Sequence, residues 1–298
     1  MNRHLDELET SGKAVRISQT EWASPRLPVP KKGGAIRYCV DFKKTLNPCL
    51  RRDHYPLPKP EDVFANLANG AIFTSLDLTD AYMQLPLHPD SQELCVVNTH
   101  RGFYKFTRLI YGISSAPAIF QSVMDLILQN IPGVVCYLDN ILVQGSGMAE
   151  CISRTLSVLA RLQHHNVKLR LDKCEWFVEK LEYLGYIISK QGRSPAPELY
   201  STIVQFDSPT TVFQLKYFLG VINFYHQFLP QFATVAKPLR VASTLKSLVW
   251  SEECESAFQQ CKQLLVSNQL LMHYDPIDYQ LSFVPMLVLW ELALFCVM

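Results

Sequence analysis

The chain has no CxxC pair, no internal repeat and no low-complexity tract, and its formal net charge is only +1. Each absence excludes something. The nine cysteines stand singly at 39, 49, 95, 136, 151, 174, 254, 261 and 296. An odd count without metal-ligand spacing argues against both a disulfide framework and a zinc site. Reduced thiols in a cytoplasmic or nuclear protein are the simplest account. The polar start MNRHLDELETSGK lacks the apolar stretch of a secretory signal, so a secreted protein is not expected. Long apolar runs are also missing until the end, where LSFVPMLVLWELALFCVM covers 281–298. Spanning a bilayer takes roughly 20 apolar residues, and Pro285 and Glu291 interrupt this run, so a membrane segment is not expected.

What is present describes a globular chain. The apolar share is 48% and the charged share 18%, enough to fold and too apolar for disorder. With 298 residues the chain can bury a sizeable core, as one multi-lobed domain or two smaller ones. The charge is unevenly spread. Residues 1–60 hold 12 Lys and Arg against 6 Asp and Glu, a net +6, which leaves −5 on the other 238. A basic N-terminal segment ahead of a mildly acidic body suits an anionic partner held at one end, although a solvated basic face accounts for charge alone.

The coarse pattern is mixed. LDELETSGKAV predicts a short amphipathic helix closed by Gly12, and WASPRLPVPKKGGAIRYCVDF an extended segment turning at Gly33-Gly34 into a strand. Pro60 followed by Glu61 and Asp62 marks a helix start. AIFTSLDL predicts a buried strand and TDAYMQL a helical turn after it. SSAPAIFQSVMDLILQNI and AECISRTLSVLARLQHHNV predict helices, and LEYLGYIIS a strand. Between the two helices, VVCYLDNILVQG predicts a hairpin whose tip is Asp139-Asn140, since Asp and Asn tolerate positive φ. TVFQLKYFLGVINFYHQFLPQF predicts a long helical stretch ended by Pro230, its Phe and Tyr at core spacing. Strand, helix, hairpin, helix and strand without βαβ alternation make an α+β sheet domain with a helical appendage.

Two carboxylates stand out. Asp77 ends an apolar strand and Asp139 lies at the hairpin tip. Taken singly, each is better read as a turn former. A carboxylate ending a buried strand nonetheless costs free energy to desolvate and usually has a partner or a metal. Were the two strands paired, mutual repulsion would favour a divalent cation, and Mg²⁺ prefers one or two carboxylates completed by phosphates and water.

Six ordered blocks give those carboxylates a context. They are WASPRLPVPKKGG with IRYCVDF, YPLPKPEDVFANLANGAIFTSLDLTDAYMQLPL, YGISSAPAIFQSVMD, VVCYLDNILV, KCEWFVEKLEYLGYIISKQG and LKYFLGVINFYHQFLPQF. In order and spacing they resemble the reverse transcriptase region of Ty3/gypsy-type LTR retrotransposons, over roughly residues 5–280. The resemblance implies a right-hand α+β polymerase fold, with an antiparallel palm sheet carrying the YLDN hairpin. It places fingers and palm in 1–195, a thumb-like helical region in 196–248 and a truncated connection toward ribonuclease H in 249–280. An unrelated apolar tail is left in 281–298.

The resemblance also implies residue roles. Asp77 and Asp139 match the metal-binding carboxylates, joined by the backbone carbonyl of Leu78, and together hold Mg²⁺, with Mn²⁺ as the alternative ion. Lys31, Lys32 and Arg37 match finger contacts to the incoming dNTP triphosphate. Tyr82 matches the aromatic beneath the sugar that rejects a 2′-hydroxyl, and Gly112 a close-approach glycine beside nucleotide and template. An RNA or DNA template–primer duplex is the implied partner. LEYLGYIIS resembles the primer-grip hairpin, and LKYFLGVINFYHQFL the thumb helix along the duplex.

Three departures qualify these expectations. Asn140 stands where the family has its second hairpin carboxylate, so catalysis is expected to be impaired while folding is not. Ile110 replaces a proline common in relatives, which should affect loop stiffness. After DPIDYQL the chain leaves the family pattern and no ribonuclease H aspartate follows, so ribonuclease H activity is not expected. The main alternative is a non-catalytic nucleic-acid-binding remnant that keeps the duplex cleft.

Overall fold

A computed structural model describes residues 2–30, 36–51, 55–226, 229 and 231–267. The chain divides into two compact units, residues 1–67 with 72–178 and residues 68–71 with 179–298. The β-strands of 180–195 therefore group with the helices that follow them, whereas the sequence blocks put them with fingers and palm.

The first unit opens with α1 (Asn2–Thr10), β1 (Ala14–Ile17), β2 (Ser24–Pro30) and β3 (Ile36–Val40). Next come α2 (Pro60–Asn66), β4 (Ile72–Asp77), a 3₁₀ turn at Ala81–Gln84, and α3 (Pro89–Gln92). Then follow β5 (Val96–Thr99), β6 (Gly102–Phe106), α4 (Ala116–Leu128), β7 (Val134–Tyr137), β8 (Asn140–Gly145), α5 (Met148–His164) and β9 (Glu175–Val178). The strands form two sheets. One has five strands in the order β1-β6-β5-β2-β3, and the other four in the order β7-β8-β4-β9. The four-stranded sheet is antiparallel throughout. The predicted Gly33-Gly34 turn lies outside the described residues.

Periodicity explains how the four-stranded sheet is covered. On α4, Phe120, Met124 and Ile127 recur at i, i+4 and i+7 and are buried. On α5, Cys151, Thr155, Val158 and Leu162 do the same. These faces share a core with Leu76, Leu78, Ile141 and Val143 of the sheet, and a fully buried Phe or Met contributes about 1.5–3 kcal/mol. In the first turn of α5 the Glu150 carboxylate accepts bonds from the Ser146 amide and hydroxyl at 2.7 and 2.6 Å, fixing the chain's entry into the helix. At Gly145 a Cβ would meet the Cys151 backbone nitrogen at 2.4 Å, so only glycine lets α5 pass over the end of β8.

Around the five-stranded sheet a second core gathers Leu5 and Leu8 of α1 with Phe42, Tyr104, Phe106, Leu109 and Ile110.

The second unit contains β10 (Lys180–Tyr183), β11 (Tyr186–Ser189) and β12 (Gly192–Pro195), followed by α6 (Pro197–Val204), α7 (Val212–Phe224), α8 (Phe232–Val235), α9 (Lys237–Ala242) and α10 (Glu252–Ser267). LEYLGYIIS, read above as one strand, is thus two. Leu184 and Gly185 both take positive φ, 50° and 81°, and turn the chain between β10 and β11 as a type I′ hairpin does. Thr211 and Gln214 form a capping box at the start of α7. Its Phe218 ring lies 4.5 Å from that of Phe258 on α10. The Tyr225 hydroxyl donates to the Gly185 carbonyl at 3.1 Å, tying the end of α7 to the β10–β11 turn.

Candidate active site

The two carboxylates are brought to one end of the four-stranded sheet. β4 and β8 pair antiparallel from Ile72↔Gly145 to Asp77↔Asn140, so Asp77 faces Asn140 directly across the strands. The Leu78 amide donates to the Asp139 carbonyl at 3.0 Å, extending the ladder by one bond beyond the strand ends. On its other edge Asp77 is fixed by a bond from the Arg170 amide to its carbonyl at 2.8 Å. Asp77 and Asn140 are half-buried and Asp139 is exposed.

The hairpin tip differs from the sequence expectation. β7 ends at Tyr137 and β8 begins at Asn140, so the two-residue turn is Leu138-Asp139. Leu138, not Asp or Asn, carries the positive φ, 55°. A γ-branched residue accepts such a conformation only where its surroundings hold it. Here the holding group is Gln121 of α4, fully buried. Its Oε1 accepts from the Leu138 amide at 3.0 Å, and its Nε2 donates to the Cys136 carbonyl at 2.8 Å and to Asp125 Oδ1 at 2.9 Å. Asp125 in turn accepts from the Tyr55 hydroxyl at 2.6 Å. Gln121 was not singled out in the sequence; a polar residue on the apolar face of α4 was the signal available.

Ser75, two residues before Asp77 on the same face of β4, donates its hydroxyl to Asn140 Oδ1 at 2.9 Å. That bond engages the amide oxygen, the side-chain atom of Asn140 able to face a cation.

Tyr82 sits in the 3₁₀ turn after β4. Its ring lies 4.7 Å from Tyr111 and 5.2 Å from Phe120. Burial pushes its hydroxyl above the usual tyrosine range, and the Asp139 carboxylate adds to that shift. Tyr82 thus packs on Phe120 of α4, the helix that carries Gln121. Gly112 follows Tyr111 with φ 101°, and a Cβ there would meet the Val40 carbonyl oxygen at 3.2 Å. Asn47 clamps the same loop, donating to the Gly112 carbonyl and accepting from the Ser114 amide, both at 2.9 Å. Buried Ile110, the departure from proline, packs in the core below this loop.

Asp77, Leu78, Tyr82, Gly112, Asp139 and Asn140 thus belong to one unit. Arg37 contributes backbone pairing in β3, opposite Val29. Lys31 and Lys32 lie outside the described residues. Among the described residues no cluster of three or more His, Cys, Asp or Glu could hold a metal. The oxygens free to face a cation are two carboxylates and the Leu78 carbonyl. They suit a hard cation that takes few protein oxygens and completes its shell with phosphate and water.

In the second unit, α7 has two faces. Leu215, Phe218 and Ile222 are buried as expected from helical spacing. Phe213, Tyr217 and Phe224 are exposed instead, correcting the reading of the aromatics as core. They share one face, with Gly220, where an added Cβ would meet nothing within 4 Å. Phe224 stacks on Tyr186 at 5.3 Å.

The model of the family "Reverse transcriptase (RNA-dependent DNA polymerase)" matches residues 29–188. The chain belongs to the reverse transcriptase family. The match covers β4, the hairpin and the whole candidate site. Curated relatives include the Transposon Tf2-7 polyprotein of Schizosaccharomyces pombe, 33% identical over 92% of this chain and 21% of the polyprotein. Another is the uncharacterized protein K02A2.6 of Caenorhabditis elegans, 35% identical over 74% of this chain and 17% of that protein. The chain accordingly spans about a fifth of these relatives and corresponds to the reverse transcriptase domain of a Ty3/gypsy-type polyprotein. Among solved structures, foamy viral protease-reverse transcriptase in complex with dsDNA matches 92% of this chain and 58% of its own, with TM-score 0.86 and 24% identity. The same viral enzyme in complex with RNA/DNA hybrid matches with TM-score 0.82. The reverse transcriptase fold is the right-hand polymerase fold, with the four-stranded sheet as its palm.

Among the described residues no helix is long and apolar enough to cross a membrane. The apolar run 281–298 lies outside them.

Proposed function

We propose that this domain is built for template-directed addition of dNTPs to a primer, and that Asn140 weakens that reaction. The observation carrying the reading is the cross-strand register that sets Asp77 opposite Asn140, with Asp139 at the adjoining tip. Asp77 and Asp139, with the Leu78 carbonyl, would hold Mg²⁺ or Mn²⁺. Divalent ions bound there supply the Lewis acidity that activates a primer 3′-hydroxyl and neutralises the departing pyrophosphate.

The chain's own groups do the positioning. Tyr82, its ring 4.7 Å from Tyr111 and 5.2 Å from Phe120, would form the floor beneath the sugar and reject a 2′-hydroxyl. Gly112 lets backbone approach the nucleotide without a side chain in the way. Lys31, Lys32 and Arg37 would meet the triphosphate, where fixed cations offset developing charge. Asn140 brings no charge and has its oxygen engaged by Ser75. By analogy with losing one preorganised electrostatic group, the rate falls about 10²–10³-fold.

The template–primer duplex is the partner this reading requires. The duplex-bound foamy viral structures support it, as does the exposed aromatic face of α7. A second reading is a protein that binds duplex without extending it. The basic segment 1–60 and Asn140 favour it, and its signature is steep weakening of binding with salt.

The test is primer extension on an RNA template with Mg²⁺ or Mn²⁺, comparing the natural chain, Asn140→Asp, and Asn140→Asp with Asp77→Ala. Extension by the simple repair alone supports the site and identifies Asn140 as the lesion. Comparable extension by the natural chain overturns the impairment. Binding by all three without extension by any favours the second reading.

A further inference from the structure

Past the end of β4 the backbone is held by a single amide side chain. Leu78 bridges Leu169, in the segment that follows α5. The Thr79 amide donates to the Lys168 carbonyl at 3.0 Å, and the Arg170 amide to the Asp77 carbonyl at 2.8 Å. Gln84, the last residue of the 3₁₀ turn, closes over this short ladder. Its Nε2 donates to the Thr79 carbonyl at 2.7 Å and to the Lys168 carbonyl at 3.0 Å. Its Oε1 accepts from the Lys168 amide at 2.7 Å. Both donors of the side chain and its oxygen are thereby engaged. The Arg108 guanidinium donates to the Gln84 carbonyl at 3.1 Å and fixes its main chain.

The consequence falls on Leu78. In extended backbone the amide and carbonyl of one residue point to the same edge, and successive residues alternate. The Asp77 carbonyl and the Thr79 amide both engage residues 168–170. The Leu78 amide points the other way, to the Asp139 carbonyl at 3.0 Å. Its own carbonyl therefore faces the hairpin that carries Asp139. Two residues on, Asp80 takes a positive φ of 45°, a conformation that a residue with a Cβ keeps best when its neighbours hold it. The bond from Gln84 to the Thr79 carbonyl fixes the peptide that enters this turn.

We infer that Gln84 is a positioning residue for the metal site. It clamps residues 77–79 to 168–170 so that the Leu78 carbonyl stays aimed at a divalent cation held by Asp77 and Asp139. The role at the metal rests on the function proposed above, whereas the clamp itself does not. An apolar side chain of similar length fills the same space but leaves the Thr79 carbonyl and the Lys168 amide without this partner, and the end of the ladder loosens. Groups that orient a metal ligand from behind typically change metal affinity about 10–100-fold when lost.

Leu78–Thr79 is the one Leu-Thr step in the sequence. Labelling leucine carbonyls with ¹³C and threonine amides with ¹⁵N therefore gives a single NMR signal that reports on both groups. Mn²⁺ alone, titrated into the full chain, should broaden that signal. Gln84→Met should need about 10-fold more Mn²⁺ for the same broadening, and hydrogen exchange at the Thr79 amide should quicken. Glu150→Ala is the control for lost stability, because Glu150 bonds Ser146 beyond Gly145, at the opposite end of the β4–β8 pair. It should lower Tm and leave the Mn²⁺ midpoint where it was. Should Gln84→Met fail to fold, Gln84→Glu keeps the acceptor for the Lys168 amide, removes both donations, and is read in the same way. Broadening with an unchanged midpoint in the Gln84 variant overturns this proposal alone, as does an equal shift in Glu150→Ala. No broadening in the natural chain overturns the metal-site reading and this proposal with it.

Discussion

Ser75 and Asn140, on neighbouring strands of the palm, share a hydrogen bond of 2.9 Å in which the hydroxyl donates to the amide oxygen. Because a carboxylate oxygen accepts the same bond, the site is already furnished for aspartate at 140. Asn140→Asp should therefore leave the fold intact, with a denaturation midpoint close to that of the natural chain, and should strengthen the Ser75 contact, since charge-assisted bonds are roughly twice as strong. Ser75→Ala should cost about 1 kcal/mol in the natural chain and more in the repaired one. Urea denaturation of the four combinations checks this. Equal costs in both backgrounds would count against the shared bond.

Gln121 bonds both sides of the hairpin turn from α4. Replacing it with Leu strands the Leu138 amide and the Cys136 carbonyl, each worth about 1–3 kcal/mol when buried without a partner. Stability should fall accordingly, and hydrogen exchange at the Leu138 amide should accelerate more than at β4. Unchanged protection at Leu138 would show that the turn holds itself.

Gly112→Ala meets two obstacles, a φ of 101° and the Val40 carbonyl oxygen 3.2 Å from the new Cβ. The expected loss is about 1–3 kcal/mol, read by thermal or urea denaturation. In the repaired chain the dNTP KM should rise as well. A substitution tolerated without loss would mean that the loop moves freely.

His4 sits on α1 with its pKa lowered, first by burial and next by the Arg26 guanidinium; Glu7 and Asp80 oppose the shift. The unfolded chain then binds this proton more readily than the folded one. Stability is complete above the ordinary histidine pKa of about 6.5 and declines as pH falls through and below it. His4→Gln should flatten that part of the stability profile between pH 7 and pH 5. An identical slope in the variant would assign the acid sensitivity elsewhere.

The sequence made the palm legible where apolar period and motif agree. β4, α4 and α5 follow from runs such as IFTSLD and from Phe120, Met124 and Ile127 at helical spacing. Asp77 at the end of β4 and Gly112 at a positive φ stand where their local sequence suggests. The hairpin tip lies one residue earlier than local propensity predicts, since propensity assigns positive φ to Asp or Asn. Tertiary bonds from Gln121 override that preference at Leu138. LEYLGYIIS concealed a turn because Leu184 is as apolar as a strand residue while adopting positive φ. The exposed aromatics of α7 were hidden by the same helical spacing that puts Phe218 in the core. β1, β5 and β6 carry no distinct sequence signal, being short strands whose order in the sheet depends on partners distant in sequence.

The pairing of Ser75 with Asn140 also has a genetic consequence. Asparagine and aspartate codons differ only at the first base, adenine against guanine. A single transition would return the carboxylate to a strand position whose neighbours need no rearrangement to receive it. Copies of the gene with either residue would thus stand one nucleotide apart and would be expected to fold alike, and under the function proposed above they would differ in the rate of primer extension.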